Sequence, residues 1–166
     1  MPAATEASSL RTAQIGASGV LLIQYRLLKC GIESAPMTTD AGIDLVVYSP
    51  KLEKAVTVQV KTCLQPKAAG GTGKSQLDWW LPRGNPAELI GLVDLERDGA
   101  WIFRKQEFES KAQQKTEDRL HLYFYVYPDY QTRKGCHERD FEQFKIERRM
   151  FDLFGIPASA VLRHGG

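Results

Sequence analysis

The feature that most limits what this chain can fold into is an alternation. Val56-Thr57-Val58-Gln59-Val60-Lys61 sets a valine at every second position, the period of a strand with one face buried. Just upstream, Asp40-Ala41-Gly42-Ile43-Asp44 leads into the apolar run Leu45-Val46-Val47-Tyr48, and the polar stretch Ser49 to Lys54 separates the two segments. Together they predict a β-hairpin. With Val56, Val58 and Val60 turned to a core, Thr57, Gln59 and Lys61 share the opposite face. If Asp44 faces the same way, a carboxylate, an amide and an ammonium converge. Carboxylate and amide oxygens are hard ligands suited to Mg²⁺, and an ammonium beside them can stabilise phosphate charge or orient a water. The chemistry implied is metal-dependent phosphodiester hydrolysis. The plainer reading leaves Gln59 and Lys61 solvated and makes Asp44 a turn cap. Against it stands the charge at the mouth of a buried strand, which is costly without a partner or a metal.

These residues resemble the PD-(D/E)XK nuclease superfamily, particularly its Mrr-like restriction and Holliday-junction-resolvase-like branches. Gly42-Ile43-Asp44 followed by Gln59-Val60-Lys61 matches that family in residue type, order and strand context, and Asp40-Ala41 is similar to the lead-in of the Mrr-like branch. The resemblance spans roughly Ser9 to Phe108. It implies an α/β fold, a restriction-endonuclease-like sandwich with a central mixed sheet flanked by helices. It also implies Asp44, Gln59 and Lys61 as catalytic residues, Asp44 and Gln59 as ligands of Mg²⁺ or Mn²⁺, and nucleic acid, DNA in particular, as substrate. Small nucleases of this type often pair to cut two strands, so a homodimer is a further expectation, although no residue encodes it.

One departure bears on activity. Family members carry a Glu after a Gly on the preceding helix, and here Gly19 is followed by Val20. A valine binds no metal. Either the metal site works with fewer ligands, or another side chain compensates, or hydrolysis is lost and binding kept. Gln24, one turn on, and Glu6, upstream, are the available substitutes. The rival to a Mg-dependent DNA endonuclease is therefore an impaired nuclease-fold protein that binds nucleic acid or a protein partner without cleavage.

Charge does not announce a nucleic-acid binder, since 22 Lys and Arg against 20 Asp and Glu leave +2. Attraction must come from local patches. Lys67 and Lys74 flank the Gly-rich loop after the hairpin and are the better nucleic-acid-binding candidates; Lys145, Arg148 and Arg149 form a second group. Cys30, Cys63 and Cys136 are odd in number and widely spaced, which fits reduced thiols. Cys136-His137 reads as a surface turn, and neither His121 nor His164 reads as catalytic. The opening residues lack a basic leader with an apolar segment, and the longest apolar run is too short to span a bilayer, so a cytoplasmic protein with no membrane association is expected.

One domain is expected from 9 to 158, with flexible ends at 1–8 and 159–166. Ser8 or Ser9 would cap a helix that ends near Cys30 with Gly31 as its stop, its middle Val20-Leu21-Leu22-Ile23 apolar nearly all round and so packed deeply against a sheet. Ile32 to Met37 reads as an edge strand, and Leu77-Asp78-Trp79-Trp80-Leu81 as an aromatic strand broken by Pro82-Arg83-Gly84-Asn85-Pro86. Ala87 to Asp94 and Ala100 to Phe103 form a second hairpin, Gln106 to Arg119 is partly helical, and His121 to Tyr127 is another strand. Phe141, Phe144, Phe151 and Phe154 stand at helical spacing in a closing helix. Ala68 to Ser75 imitates a phosphate-binding loop, but Gln65-Pro66 interrupts the strand it needs and Trp79-Trp80 leaves no room for its helix.

Overall fold

Helix α1 (Thr12–Lys29) closes at Cys30, after which Gly31 takes a φ of +78° that suits glycine. In the computed structural model, which describes residues 10–39, 41–69, 73–127 and 134–160, Ser8 and Ser9 lie outside the described residues. The Arg11 N–H is instead satisfied by the Gln14 side chain at 2.8 Å. The expectation that the apolar middle, Val20 to Ile23, is packed deeply needs correction, since only Ile23 of the four is fully buried. Gly19, Ile23 and Leu27 are buried, while Leu21, Tyr25 and Leu28 are 65%, 56% and 62% exposed. The helix rests on the sheet by one stripe only. Gly19 permits the close approach, because a Cβ there would collide with the Thr62 side chain.

Among the described residues the strands are β1 (Glu33–Pro36), β2 (Leu45–Ser49), β3 (Lys54–Cys63), β4 (Lys67–Ala68), β5 (Ser75–Pro82), β6 (Leu89–Asp94), β7 (Gly99–Arg104), β8 (Gln114–Lys115) and β9 (Arg119–Tyr125), with α2 (Lys105–Lys111) after β7. The central sheet has the order β1-β2-β3-β6-β7 and is mixed, since only β3 and β6 run parallel. This is the expected α/β architecture. Its second face is covered by another sheet, β4-β5-β9-β8, all antiparallel.

Strand alternation divides the core in two. Val58, Val60, Leu89 and Val93 meet Ile23 and Leu27 of α1 on one side. Ile90, Leu92, Trp101 and Phe103 meet Leu77, Trp79 and Phe124 of the second sheet on the other. Gln59 and Lys61 have the parity of Cys63, which packs against the inter-sheet cluster, so they point away from α1.

The closing segment differs from the single helix expected of its aromatic spacing. It breaks into 3₁₀ turns at Glu138–Phe144 and Ile146–Arg148 and the short helix α3 (Met150–Phe154). Lys145 adopts an extended conformation and bridges to Trp101 of β7, which interrupts the helical run. Phe141, Phe144 and Phe154 are buried, and Phe151 is 71% exposed.

Candidate functional site

Asp44 is the residue immediately before β2. Leu45 pairs with Val58, so Asp44 lies across from Gln59 and shares its face. The Asp44 N–H donates to the Val58 carbonyl at 2.8 Å, and its own carbonyl accepts from Met37 N–H at 2.9 Å. Main-chain pairing of β2 with β3 then gives way to the side chain, because the Val60 N–H donates to Asp44 Oδ2 at 2.7 Å. The same oxygen accepts from Gln59 Nε2.

Gln59 is buried in the middle of β3 at 5% exposure, so its amide needs partners for both ends. Its Oε1 accepts from Asn85 Nδ2 at 3.1 Å. Its Nε2 donates to Asp44 and, at 3.3 Å, to the Val60 carbonyl. The carbonyl expected to join Asp44 on a cation is thus turned to Asn85 in this arrangement, and an N–H faces Asp44. Gly42 lets the Asn85-Pro86 turn close over the strand end: its φ is +82°, and a Cβ would stand 2.9 Å from Pro86 Cδ and 3.1 Å from Asn85 Nδ2.

Lys61 lies two residues further along β3 on the face of Gln59, about 7 Å away along the strand. It is half-buried, and among the described residues its ammonium makes no hydrogen bond or ion pair. A half-buried cation without a counter-charge is a natural seat for an anion.

Other expected participants stand elsewhere. Val20 is half-buried against the helix-side core, across β3 from the Asp44 face, so the alignment that sets it among the site residues is corrected. Gln24 is tied to the β1 edge through the Ser34 carbonyl at 3.4 Å. Glu6 and His164 lie outside the described residues. Lys67 and Lys74 flank the β4–β5 hairpin at the start of β5, whereas Asn85 follows its end, and Lys74 sits 5.8 Å over the Tyr125 ring. Lys145 pairs with Glu142, Arg148 with Glu142, and Arg149 with Glu107 and Asp152, so the closing segment offers no bare basic patch. Cys136 and His137 are buried rather than in a surface turn, with His137 Nε2 at 2.8 Å from the Tyr127 carbonyl. Trp79 enters the core, and Trp80, 40% exposed, stacks on His121 at 3.9 Å. The Cys63 thiol is pushed up to about 11 by burial, against the lowering effect of its hydrogen bond to the Asp78 carbonyl.

Sequence reasoning missed Asn85. It is 5% exposed and makes polar contacts with both the Gly42 loop and Gln59, but between Gly84 and Pro86 an Asn looks like any turn residue.

No protein-family model matches the chain, and no curated protein matches it. Among solved structures it is similar to the bacterial homing endonuclease I-Ssp6803I, at 19% identity and a TM-score of 0.53, covering 76% of this chain and 86% of that one. The chain has a nuclease-like fold. MepB aligns over 70% of this chain and 85% of its own at 16% identity, but its TM-score of 0.28 is too low to argue from. A common fold at this identity does not carry an active site across, so the chemistry rests on this chain's own residues. As a metal site those residues offer one carboxylate and one amide, and among the described residues no three His, Cys, Asp or Glu side chains are grouped to hold an ion. That set does not suit a closed tetrahedral zinc site. A hard cation that keeps several waters, as Mg²⁺ does, would find the Asp44 carboxylate here, and the Gln59 oxygen only if that amide turned away from Asn85. No helix among the described residues is long and apolar enough to cross a membrane.

Proposed function

We propose that the protein is a metal-dependent endonuclease of the PD-(D/E)XK type acting on DNA, with its site at Asp44, Gln59 and Lys61. The observation that carries this reading is the convergence of Asp44 and Gln59 on one strand face beside a half-buried Lys61 that has no hydrogen-bond or ion-pair partner among the described residues. The fold common to this chain and a homing endonuclease supports it. Mg²⁺ or Mn²⁺, when bound, would polarise a phosphate oxygen and lower the pKa of a water. Asp44 would supply the anionic ligand and Gln59 an amide oxygen. The Lys61 ammonium would balance charge on the phosphate oxygens or orient the attacking water. Lys67 and Lys74, displaced along β5, would meet the nucleic-acid backbone away from the reacting phosphate.

Cutting both strands of a duplex would take two copies, and the exposed Leu21, Tyr25 and Leu28 stripe beside edge strand β1 is a surface that suits such a homodimer. The second reading, binding without cleavage, is favoured by the composition of α1, which carries no Asp or Glu between Thr12 and Lys29. Crystals grown with a short DNA duplex and soaked in Mn²⁺ test the site. The proposal expects an anomalous peak at bonding distance from the Asp44 carboxylate with a phosphate oxygen beside it. Duplex bound with no metal at Asp44 would favour the second reading.

A further inference from the structure

The polarity of the Gln59 amide is imposed from outside the site. Asn85 uses all three of its side-chain hydrogen-bonding groups. Its Nδ2 donates to the Gly42 carbonyl at 3.0 Å and to Gln59 Oε1 at 3.1 Å, and its Oδ1 accepts from the Ala87 N–H at 3.0 Å. Two of these partners are backbone atoms. A carbonyl can only accept and an N–H can only donate, so Asn85 has one allowed orientation. That orientation aims an N–H at Gln59, which must answer with its oxygen. Gln59 Nε2 is then left to face Asp44 Oδ2 and the Val60 carbonyl, both acceptors. The main chain of Asn85 is held as well, its N–H on the Pro82 carbonyl at 3.1 Å and its carbonyl under Lys105 Nζ at 2.6 Å.

Turning Gln59 to offer its oxygen beside Asp44 would set donor against donor at Asn85, and acceptor against acceptors at Asp44 and Val60. Each mismatch is buried, where an unsatisfied polar group is expensive. The geometry points to Asn85 as a positioning residue that gates divalent-cation binding by holding Gln59 as a hydrogen-bond donor to Asp44. This rests on the site proposed above and adds its regulation: the cation meets Asp44 with one oxygen already committed, and gains the Gln59 oxygen only when the Asn85 contact is broken.

The test is calorimetric titration of the full chain with Mn²⁺ alone. Asn85→Ala should tighten binding about tenfold, the scale of one buried mismatched polar contact. Asn85→Ser, whose hydroxyl can still accept the Ala87 N–H but is too short to reach Gln59, should do the same and guards against misfolding of the first variant. Adding Gln59→Leu to either should erase the gain, which a merely structural effect of Asn85 would not require. Unchanged or weaker affinity in the Asn85 variants, including no binding at all, overturns the gate, as does a gain that survives Gln59→Leu. Asp44→Asn separates the two claims, since Mn²⁺ affinity insensitive to it refutes the site itself whatever Asn85 does. In the unsubstituted protein the Gln59 side-chain amide should exchange slowly with solvent by NMR, and exchange as fast as that of a surface glutamine would also overturn the gate.

Discussion

Replacing Gly42 with Ala perturbs the site without removing any of its polar side-chain atoms. Two costs add. At a φ of +82° an Ala is held in the left-handed region, which costs about 1–2 kcal/mol. Its Cβ would also stand 2.9 Å from Pro86 Cδ and 3.1 Å from Asn85 Nδ2, neither of which can yield without opening the turn. Displacing Asn85 strips Gln59 Oε1 of its donor inside a buried site, a further loss of about 1–3 kcal/mol. Gly31 supplies the control. Its φ of +78° is nearly the same, and a Cβ there meets nothing within 4 Å, so Gly31→Ala carries the backbone cost alone. Urea denaturation of the two variants should therefore place Gly42→Ala below Gly31→Ala by about 1–3 kcal/mol, roughly 1 M in midpoint for a slope near 2 kcal/mol/M. Equal destabilisation would show that the Asn85 network contributes nothing to holding the strand end, and the reasoning about Gln59 would fall with it.

Three further outcomes follow from single groups. Lys61→Met should leave the urea midpoint unchanged or raise it, because a half-buried ammonium with no partner among the described residues is replaced by an apolar chain of similar length; a loss above about 1 kcal/mol would reveal a structural partner for Lys61. The Arg104 hydrogen bond holds the Asp152 carboxyl below the usual carboxylate range, so the unfolded chain binds that proton more readily. Stability from this pair is therefore present above the unfolded value of about 4 and lost as pH falls through the lowered folded value, and Asp152→Asn should flatten that acid limb of a thermal-denaturation profile; an unchanged limb contradicts it. Because burial pushes the Cys63 thiol to about 11, its labelling by a thiol reagent at pH 8 should run about a hundredfold slower than that of free cysteine, and labelling at the free rate would contradict the burial of Cys63.

The hairpin that gathers Asp44 and Gln59 was legible because strand period and polar placement agree: valines at alternate positions set the faces, and the register follows from the turn. The edge strand with Pro36, the aromatic strand and the second hairpin were legible for the same reason. The second sheet was not. An aromatic strand carries no mark of which sheet it joins, and β5 pairs with β9 some forty residues later rather than with its neighbour β3. Nor was the break at Lys145 visible, since Phe spacing alone cannot tell one helix from successive 3₁₀ turns. Apolar density likewise hid the direction in which α1 faces: Leu21 and Leu28 are exposed while Ile23 and Leu27 are buried, and the sequence presents all four alike. Asn85 escaped because its role depends on a contact with Gly42, 43 positions away in the chain.

The measurement that bears most directly on the central claim is conversion of supercoiled plasmid by the purified protein in the presence of Mg²⁺ or Mn²⁺. The account predicts relaxed and linear products that vanish on chelation with EDTA. It also predicts that Asp44→Ala and Lys61→Ala abolish them while the circular-dichroism spectrum stays that of the parent, since neither variant removes a core residue. Cleavage that persists in the Asp44→Ala protein, or that needs no divalent cation, would contradict the account.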